Sequence, residues 1–178
     1  MTEVLFTPWR LAYLAGETLP AGGCLFCDLA RRGDEEALVV HRARTAFVVL
    51  NRYPYTNGHV MVAPYAHHAT LASLPPDERA ELIEIAALCE AVLGEAYRPH
   101  GFNLGINLGK SAGAGVPGHL HLHVVPRWDG DTNFLSVLAG TRTVPEELPS
   151  TRARLAPLFA KAAARGGGPA GGERGAGA

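Results

Sequence analysis

Three histidines alternate with apolar residues in the segment His119-Leu-His121-Leu-His123-Val-Val125. Successive side chains of a β-strand point to opposite faces, so this pattern predicts a strand with the three imidazoles on one face. Histidine titrates nearest to neutral pH, and three on one face favour chemistry or metal binding over packing. The pattern alone leaves open a metal site and a nucleophilic imidazole.

A glycine-rich segment directly precedes the histidines. Such a loop can expose backbone N–H groups that bind a phosphate. It is not a Walker A loop, because Lys110-Ser111 does not have the required glycine spacing and a strand rather than a helix follows. Placed before three histidines, the loop favours phosphate chemistry. Its glycines are Gly109, Gly113, Gly115 and Gly118.

Cys24 and Cys27 form a Cys-x-x-Cys pair. Two thiolates at this spacing can bind one zinc ion, but a closed tetrahedral site needs two further ligands. The pair by itself is compatible with zinc binding, with redox chemistry or with chance. The remaining cysteine, Cys89, lies in a helical pattern and is interpreted as a buried apolar residue. An odd number of cysteines argues against a disulfide framework.

The residues around these motifs resemble the histidine triad (HIT) superfamily of nucleotide hydrolases and transferases, whose signature is His-φ-His-φ-His-φ-φ with φ apolar. The resemblance covers roughly residues 5–135. It includes Asn51-Arg-Tyr-Pro54, Gly58–Pro64 and Phe102–Gly109. Within the superfamily, further segments are similar to the bacterial diadenosine polyphosphate hydrolase and phosphorylase group near the fragile-histidine-triad branch. These are Pro8-Trp-Arg10, the cysteine pair, Pro126-Arg-Trp128 and Gly130–Phe134.

The resemblance implies a reaction on dinucleoside polyphosphates such as diadenosine tetraphosphate. His121 would attack the α-phosphorus and form a nucleotidyl-histidine intermediate, which water or inorganic phosphate then releases. His119, His123 and the upstream His59 would orient the nucleophile, stabilise phosphoryl oxygens and help to protonate the leaving group. The alternatives are a nucleoside phosphoramidase of the broader family and a nucleotide-binding regulatory module with incidental turnover.

The resemblance also implies nucleotide contacts. Asn51 would bind ribose hydroxyls and Asn107 would contact the phosphates, while backbone groups of Gly113, Gly115 and Val116 would bear the phosphoryl charge. From the residues alone, Asn51 is better interpreted as a turn residue. The loop lacks the Gln and the hydroxyl that much of the superfamily has before the triad, and it is one residue longer. This departure leaves the acceptor, water or phosphate, open.

A complete zinc site follows from the same resemblance. Many bacterial members add the His of a Pro-x-x-His motif and the first triad histidine, which here are His67 and His119. We therefore expect one structural Zn²⁺ per chain on Cys24, Cys27, His67 and His119, with His68 as the competitor for the third position. No organic cofactor is expected.

The remaining patterns predict an α+β fold, a mainly antiparallel sheet of about five strands with one long helix packed on it. Strands are expected near 38–41, 46–50, 59–63, 102–108 and 119–125. The helix should start near Leu74-Pro-Pro-Asp-Glu and end near Tyr97. Residues 1–164 should form one domain with its core at about 24–135, and the Gly/Ala-rich residues 165–178 should be a disordered tail.

The composition excludes several classes of protein. The chain has 178 residues, of which 47% are hydrophobic and 19% charged, with a formal net charge of −1. It therefore has no overall field to recruit nucleic acid or an anionic membrane. No secretory signal or membrane span is visible. We expect a cytoplasmic protein with a nucleotide substrate and no nucleic-acid or membrane partner, and the resemblance implies a two-fold homodimer with sheets joined across the interface.

Overall fold

A computed structural model describes residues 23–131 and 146–166. Within these ranges, one five-stranded sheet has the order β1-β2-β3-β5-β4, and all four pairings are antiparallel. The expected α+β class and the strand number are confirmed. The strands are β1 (Val39–Arg42), β2 (Ala46–Leu50), β3 (Val60–Pro64), β4 (Gly101–Ile106) and β5 (Leu122–Arg127), and the helices are α1 (Leu25–Leu29), α2 (Pro76–Tyr97) and α3 (Leu148–Gly166), with short 3₁₀ turns at Leu71–Ser73 and Lys110–Ala112.

The sheet separates two cores because side chains alternate along each strand. One face packs against α2 and α3. Its buried strand residues include Val40, Val48, Leu50, Val60, Val62, Leu122 and Val124. The opposite face, here called the histidine face, carries His123, which pairs with Met61 in the β3–β5 ladder. Its buried apolar residues are Val39, Phe47, Val49, Met61 and Ala63, and Phe26 of α1 packs on them.

Helix α2 forms where the sequence predicts it. Proline and acidic side chains occupy its first turn, and Arg98 closes it in a left-handed conformation with φ of 47°. Cys89 is fully buried, as expected. The other buried residues of α2 form the predicted apolar stripe. They are Leu82, Ile85, Ala86, Val92 and Leu93. Among the described residues, no helix combines the length and apolarity needed to cross a membrane.

Helix α3 packs against the helix side of the sheet. Leu155 and Phe159 are fully buried against α2 and β1, and the Phe159 ring stacks on His41 at a centroid distance of 5.6 Å. The helix continues through Gly166, two residues into the segment expected to be disordered. Three other parts of the predictions lie outside the described residues, namely the segment Pro8-Trp-Arg10, the residues Thr132–Phe134 and the rest of the tail.

The histidine strand starts three residues later than predicted, at Leu122. Its ladder with β3 ends at the pair Val62–Leu122, close to Pro64, which has no N–H to donate. The Pro64 carbonyl oxygen instead accepts a hydrogen bond from the His119 ring at 2.9 Å. The N–H of Leu120 donates to the carbonyl oxygen of His68 at 2.6 Å. His119 and His121 therefore precede β5, although Leu120 still faces the helix side.

Candidate active site and metal centre

His121 is held in a defined tautomer by its own main chain. Its Nδ1–H donates to the carbonyl oxygen of His119 at 2.8 Å, so Nε2 carries the lone pair. The side chain is 5% exposed, and this burial lowers the pKa of His121 below its usual value. A neutral imidazole with a lone pair on Nε2 is the form that can attack phosphorus.

Phe26 packs against two of the triad rings, and the sequence analysis missed it. Its ring centroid lies 4.8 Å from that of His121 and 5.3 Å from that of His119. Phe26 is 1% exposed and stands between Cys24 and Cys27 on α1. The aromatic residue inside the Cys-x-x-Cys motif was the available signal, because a one-turn helix that places both cysteines at one site also fixes the residue between them.

His59 and His123 form a hydrogen-bonded pair. The backbone N–H of Tyr55 donates to His59 Nδ1 at 3.2 Å, so His59 Nε2–H donates to His123 Nδ1, 2.9 Å away. The hydrogen of a neutral His123 is then on Nε2. Burial, and then the neighbouring His123 and His121, lower the pKa of His59 to about 3. His59 is therefore neutral near pH 7 and makes His123 a donor through Nε2.

The loop between β2 and β3 surrounds this pair. The Tyr55 ring, which no sequence motif indicates, packs on His59 with the planes tilted by 36° and the centroids 4.7 Å apart, and it stacks on His123 at a centroid distance of 6.3 Å. Asn51 opens the loop, and its Oδ1 accepts from the Tyr53 N–H at 2.9 Å, which is the turn role expected of it. Its Nδ2 lies 3.4 Å from both ring nitrogens of His59. The Asn51 side chain therefore contacts the His59 ring.

The remaining predicted nucleotide contacts lie on the segment that leads into the triad. Asn107 and His121 each lie one residue beyond Ile106–Leu122, the last pair of the β4–β5 ladder. Gly113 has φ of +83°, a left-handed conformation that favours glycine. Gly115 is exposed. Val116 packs against the core of the histidine face, and its carbonyl oxygen accepts from the N–H of His119 at 3.3 Å.

The four predicted zinc ligands come together. One ligand atom from each of Cys24, Cys27, His67 and His119 lies within 4.8 Å of the others. His119 Nδ1 is 3.2 Å from Cys24 Sγ and 3.6 Å from Cys27 Sγ, and Cys27 Sγ is 3.3 Å from His67 Nδ1. Because His119 Nε2–H donates to Pro64, its Nδ1 lone pair faces the thiols.

This donor set fits zinc. Two thiolates and two imidazoles in a compact cluster are a common tetrahedral arrangement for Zn²⁺. A carbonyl oxygen that fixes the second nitrogen of a histidine ligand is a frequent accompaniment. His68, the competing candidate, is not part of the cluster, and it contributes its carbonyl oxygen to the N–H of Leu120. The geometry thus favours His67.

The sequence matches known proteins over most of its length. The HIT domain family matches residues 32–130. The protein named AP-4-A phosphorylase of Mycobacterium tuberculosis is 42% identical over 166 residues, which cover 88% of this chain and 84% of that protein. Adenylylsulfatase HINT3 of Arabidopsis thaliana is 31% identical over 64% of this chain and 56% of its own length.

A solved structure adds the same fold with a metal. The zinc-bound histidine triad family protein from Mycobacterium smegmatis superposes with a TM-score of 0.66 at 26% identity, covering 82% of this chain and 99% of that one. More than half of the present chain matches the family, and the triad and the sheet that carries it occupy the matched part. The chain belongs to the HIT domain family.

Proposed function

We propose that this protein is an enzyme that cleaves dinucleoside polyphosphates of the diadenosine tetraphosphate type at the α-phosphate. The observation that carries the proposal is the hydrogen bond from His121 Nδ1 to the His119 carbonyl oxygen, since it leaves Nε2 as the nucleophilic nitrogen. The similarity to the M. tuberculosis AP-4-A phosphorylase over most of the chain supports this substrate class.

The reaction proceeds in two displacements at phosphorus. In the first, His121 Nε2 forms a bond to the α-phosphorus, and the bond to the bridging oxygen of the leaving nucleoside polyphosphate breaks. His123, a donor through Nε2, stabilises the charge that develops on the phosphoryl or leaving oxygen. In the second, an oxygen of water or inorganic phosphate attacks, the P–N bond breaks and the imidazole is restored. Water gives AMP and ATP, and phosphate gives ADP and ATP.

Substrate binding is assigned to the groups around the triad. Backbone N–H groups of Gly115 and Val116 hold the phosphoryl oxygens in place of the missing hydroxyl. The N–H of Gly113 donates to the carbonyl oxygen of Lys110 at 2.9 Å, so Gly113 contributes by shaping the turn that precedes these groups. The side-chain amide of Asn107, which like His121 lies one residue beyond the end of the β4–β5 ladder, contacts the phosphates. Asn51, beside His59, binds the ribose hydroxyls.

Structural zinc would be held by the cluster of Cys24, Cys27, His67 and His119. The metal would neutralise the two thiolates and join α1 to the start of the triad. His119 connects this cluster to the nucleophile, because its carbonyl oxygen accepts the hydrogen bond from His121 Nδ1. Phe26 packs against the same ring from α1. The metal site thereby supports the orientation of the nucleophile.

A homodimer is also part of the proposal. Strand β4 is an edge of the sheet, and edge strands present unpaired N–H and C=O groups. Two apolar side chains stand out on and beside it, Leu104 at 48% exposed and Leu108 at 43% exposed. A second copy paired along β4 would continue the sheet and cover both leucines.

The experiment that tests the function is incubation with diadenosine tetraphosphate, with and without inorganic phosphate, followed by identification of the nucleotides. AMP and ATP indicate hydrolysis. ADP and ATP, formed only when phosphate is present, indicate phosphorolysis. If no dinucleotide is cleaved while an adenosine phosphoramidate releases its amine rapidly, the proposal is wrong and the phosphoramidase alternative is favoured.

A further inference from the structure

The backbone just before His59 rests on an aromatic ring of α2. Gly58 has φ of +73°, and a Cβ atom at this position would lie 2.9 Å from Cε2 of Tyr97 and 3.1 Å from Cδ2 of Leu93. Such distances are too short for a side chain. The loop therefore approaches α2 as closely as a backbone can, and its main contact there is the ring of Tyr97.

The Tyr97 ring is itself anchored from the C-terminal part of the chain. Its hydroxyl donates to Glu146 Oε2 at 2.5 Å. The same carboxylate accepts from Thr151 Oγ1 at 3.0 Å and pairs with the Arg154 guanidinium at 2.8 Å. Thr151 is 4% exposed, so α3 fixes Glu146 and Glu146 fixes the ring. All three partners lie beyond residues 32–130, the part of the chain that the family matches.

The loop is also held on its other side. Thr56 Oγ1 donates to the carbonyl oxygen of Pro126 in β5 at 2.8 Å. A small cavity between the loop and the C-terminal segment is lined by both His59 and Glu146. The loop that ends at His59 therefore contacts β5 through Thr56 and Tyr97 through Gly58. Because Gly58 directly precedes His59, a displacement of the Tyr97 ring would displace His59 as well.

We infer that Tyr97 and Glu146 position His59, and through it His123, by holding Gly58 in place. Neither residue touches the reacting atoms. They act by keeping His59 Nε2 at hydrogen-bond distance from His123 Nδ1, a contact that weakens steeply when its distance or angle changes. The C-terminal helix thus stabilises the geometry of the histidine pair. The effect on turnover rests on the proposed function, whereas the effect on the histidine pair does not.

The test compares Tyr97→Phe and Glu146→Gln in the zinc-loaded protein with a matched control, Thr45→Val. Thr45 Oγ1 donates to Glu81 Oε2 at 2.6 Å, so the control also removes one hydroxyl–carboxylate bond to α2, near its opposite end. The first readout is the imidazole ¹H–¹⁵N spectrum, in which the proton shared by His59 and His123 gives its own signal. The second is kcat and KM for diadenosine tetraphosphate.

Tyr97→Phe should shift or broaden the shared-proton signal and lower kcat about tenfold, with KM unchanged, less than the roughly hundredfold cost of a misplacement of about 1 Å. Glu146→Gln keeps an oxygen that accepts a hydrogen bond from the Tyr97 hydroxyl. It should therefore retain most of the shared-proton signal and most of kcat. Thr45→Val should reduce thermal stability but alter neither readout. Should Tyr97→Phe not fold, Glu146→Ala removes the same bond, together with the contacts of the carboxylate with Thr151 and Arg154, and should cause the same two changes.

Two results overturn the inference. One is an unchanged imidazole spectrum in Tyr97→Phe. The other is an equal loss of kcat in Tyr97→Phe and Thr45→Val, which would indicate general destabilisation. If the wild-type protein cleaves no dinucleotide, the proposed function fails, but the spectra still decide whether Tyr97 positions His59.

Discussion

The Sγ atom of Cys24 lies 3.2 Å from Nδ1 of His119, although 95 positions separate the two residues. The other ring nitrogen of His119 donates to the Pro64 carbonyl oxygen, and its own carbonyl oxygen accepts from His121. One residue therefore contributes its ring to the candidate metal cluster and its main-chain oxygen to His121, the proposed nucleophile. From the sequence, a metal site and a nucleophilic imidazole are competing interpretations of the triad, whereas in the fold the candidate cluster and His121 are adjacent.

Replacing Cys24 with Ser should remove zinc. The variant leaves three ligands and replaces a thiolate with a hydroxyl, a much weaker zinc ligand. Metal analysis of protein purified without chelator should find about one zinc per wild-type chain and little in Cys24→Ser, with a lower Tm because metal binding contributes to folding. Cys89→Ala is the control, since Cys89 is buried among the α2 side chains and should leave the zinc content unchanged. Equal zinc in both variants would contradict the assignment.

The neighbouring residues His67 and His68 offer a matched pair. His67→Ala should lose zinc, because its Nδ1 lies 3.3 Å from Cys27 Sγ. His68→Ala should keep it, because the contact of His68 with the triad segment is made by its carbonyl oxygen, which alanine retains. Zinc per chain measured on the two variants prepared side by side decides between them. The opposite result would assign the ligand to His68.

His121→Asn should abolish turnover of diadenosine tetraphosphate, with kcat at least about 10³-fold lower, because an amide cannot form the nucleotidyl intermediate. Nucleotide binding measured by calorimetry should persist, since the loop and Asn107 are unchanged. An acid-quenched reaction with labelled substrate should leave label on the wild-type protein and none on the variant. The control is His100→Asn, an exposed site whose ring pairs with Asp129. Turnover by His121→Asn at the control's rate would exclude His121 as nucleophile.

Local patterns predicted much of this molecule. The alternation around Leu122 and Val124 placed the apolar side chains on the helix face, and the stripe of α2 predicted its buried residues. These signals are readable because each depends on the spacing within one element. The four residues of the candidate zinc site are predicted from the resemblance and not from spacing, since His67 and Cys27 are 40 positions apart.

Contacts between distant elements account for what the sequence did not predict. Strand β5 begins late because its ladder ends close to Pro64, which belongs to another strand. The tautomer of His59 depends on the N–H of Tyr55 in a folded loop. The bond from Tyr97 to Glu146 spans 49 positions and connects the end of α2 with the segment just before α3, two parts of the chain that have no common periodicity. Periodic patterns contain no information on such pairs, so only the folded chain shows them.

Helix α3 should be necessary for the stability of the whole fold. Phe159 is fully buried and stacks on His41 of β1. Phe159→Ala therefore removes a large side chain from the core between the sheet and helices α2 and α3. The free energy of unfolding should fall by about 3–5 kcal/mol, the usual cost of such a truncation. Urea unfolding followed by circular dichroism measures it. Ile83→Ala, at a side chain that is 57% exposed, should change the value by less than about 0.5 kcal/mol. If the free energy of unfolding fell as little in Phe159→Ala as in Ile83→Ala, the packing of α3 would not be necessary for the stability of the fold.

Acid should destabilise the protein in part through His59. Its pKa is lowered by burial, and then by the two neighbouring histidines, from 6.5 to about 3 in the folded chain, so the unfolded chain binds more protons between these values. The contribution of a neutral His59 to stability is therefore complete above about pH 6.5 and is lost as the pH falls towards 3, by at most about 1.4 kcal/mol per pH unit. Between pH 7 and pH 5, the free energy of unfolding of the wild type should fall by about 1–2 kcal/mol more than that of His59→Gln.

Urea titrations at pH 7, 6 and 5 in excess zinc measure this difference. Both proteins have the same metal site, so its contribution to the pH dependence cancels in the comparison. Thr45→Val, which removes no titrating group, should follow the wild type in parallel. Equal losses in the wild type and His59→Gln would mean that folding does not lower the pKa of His59.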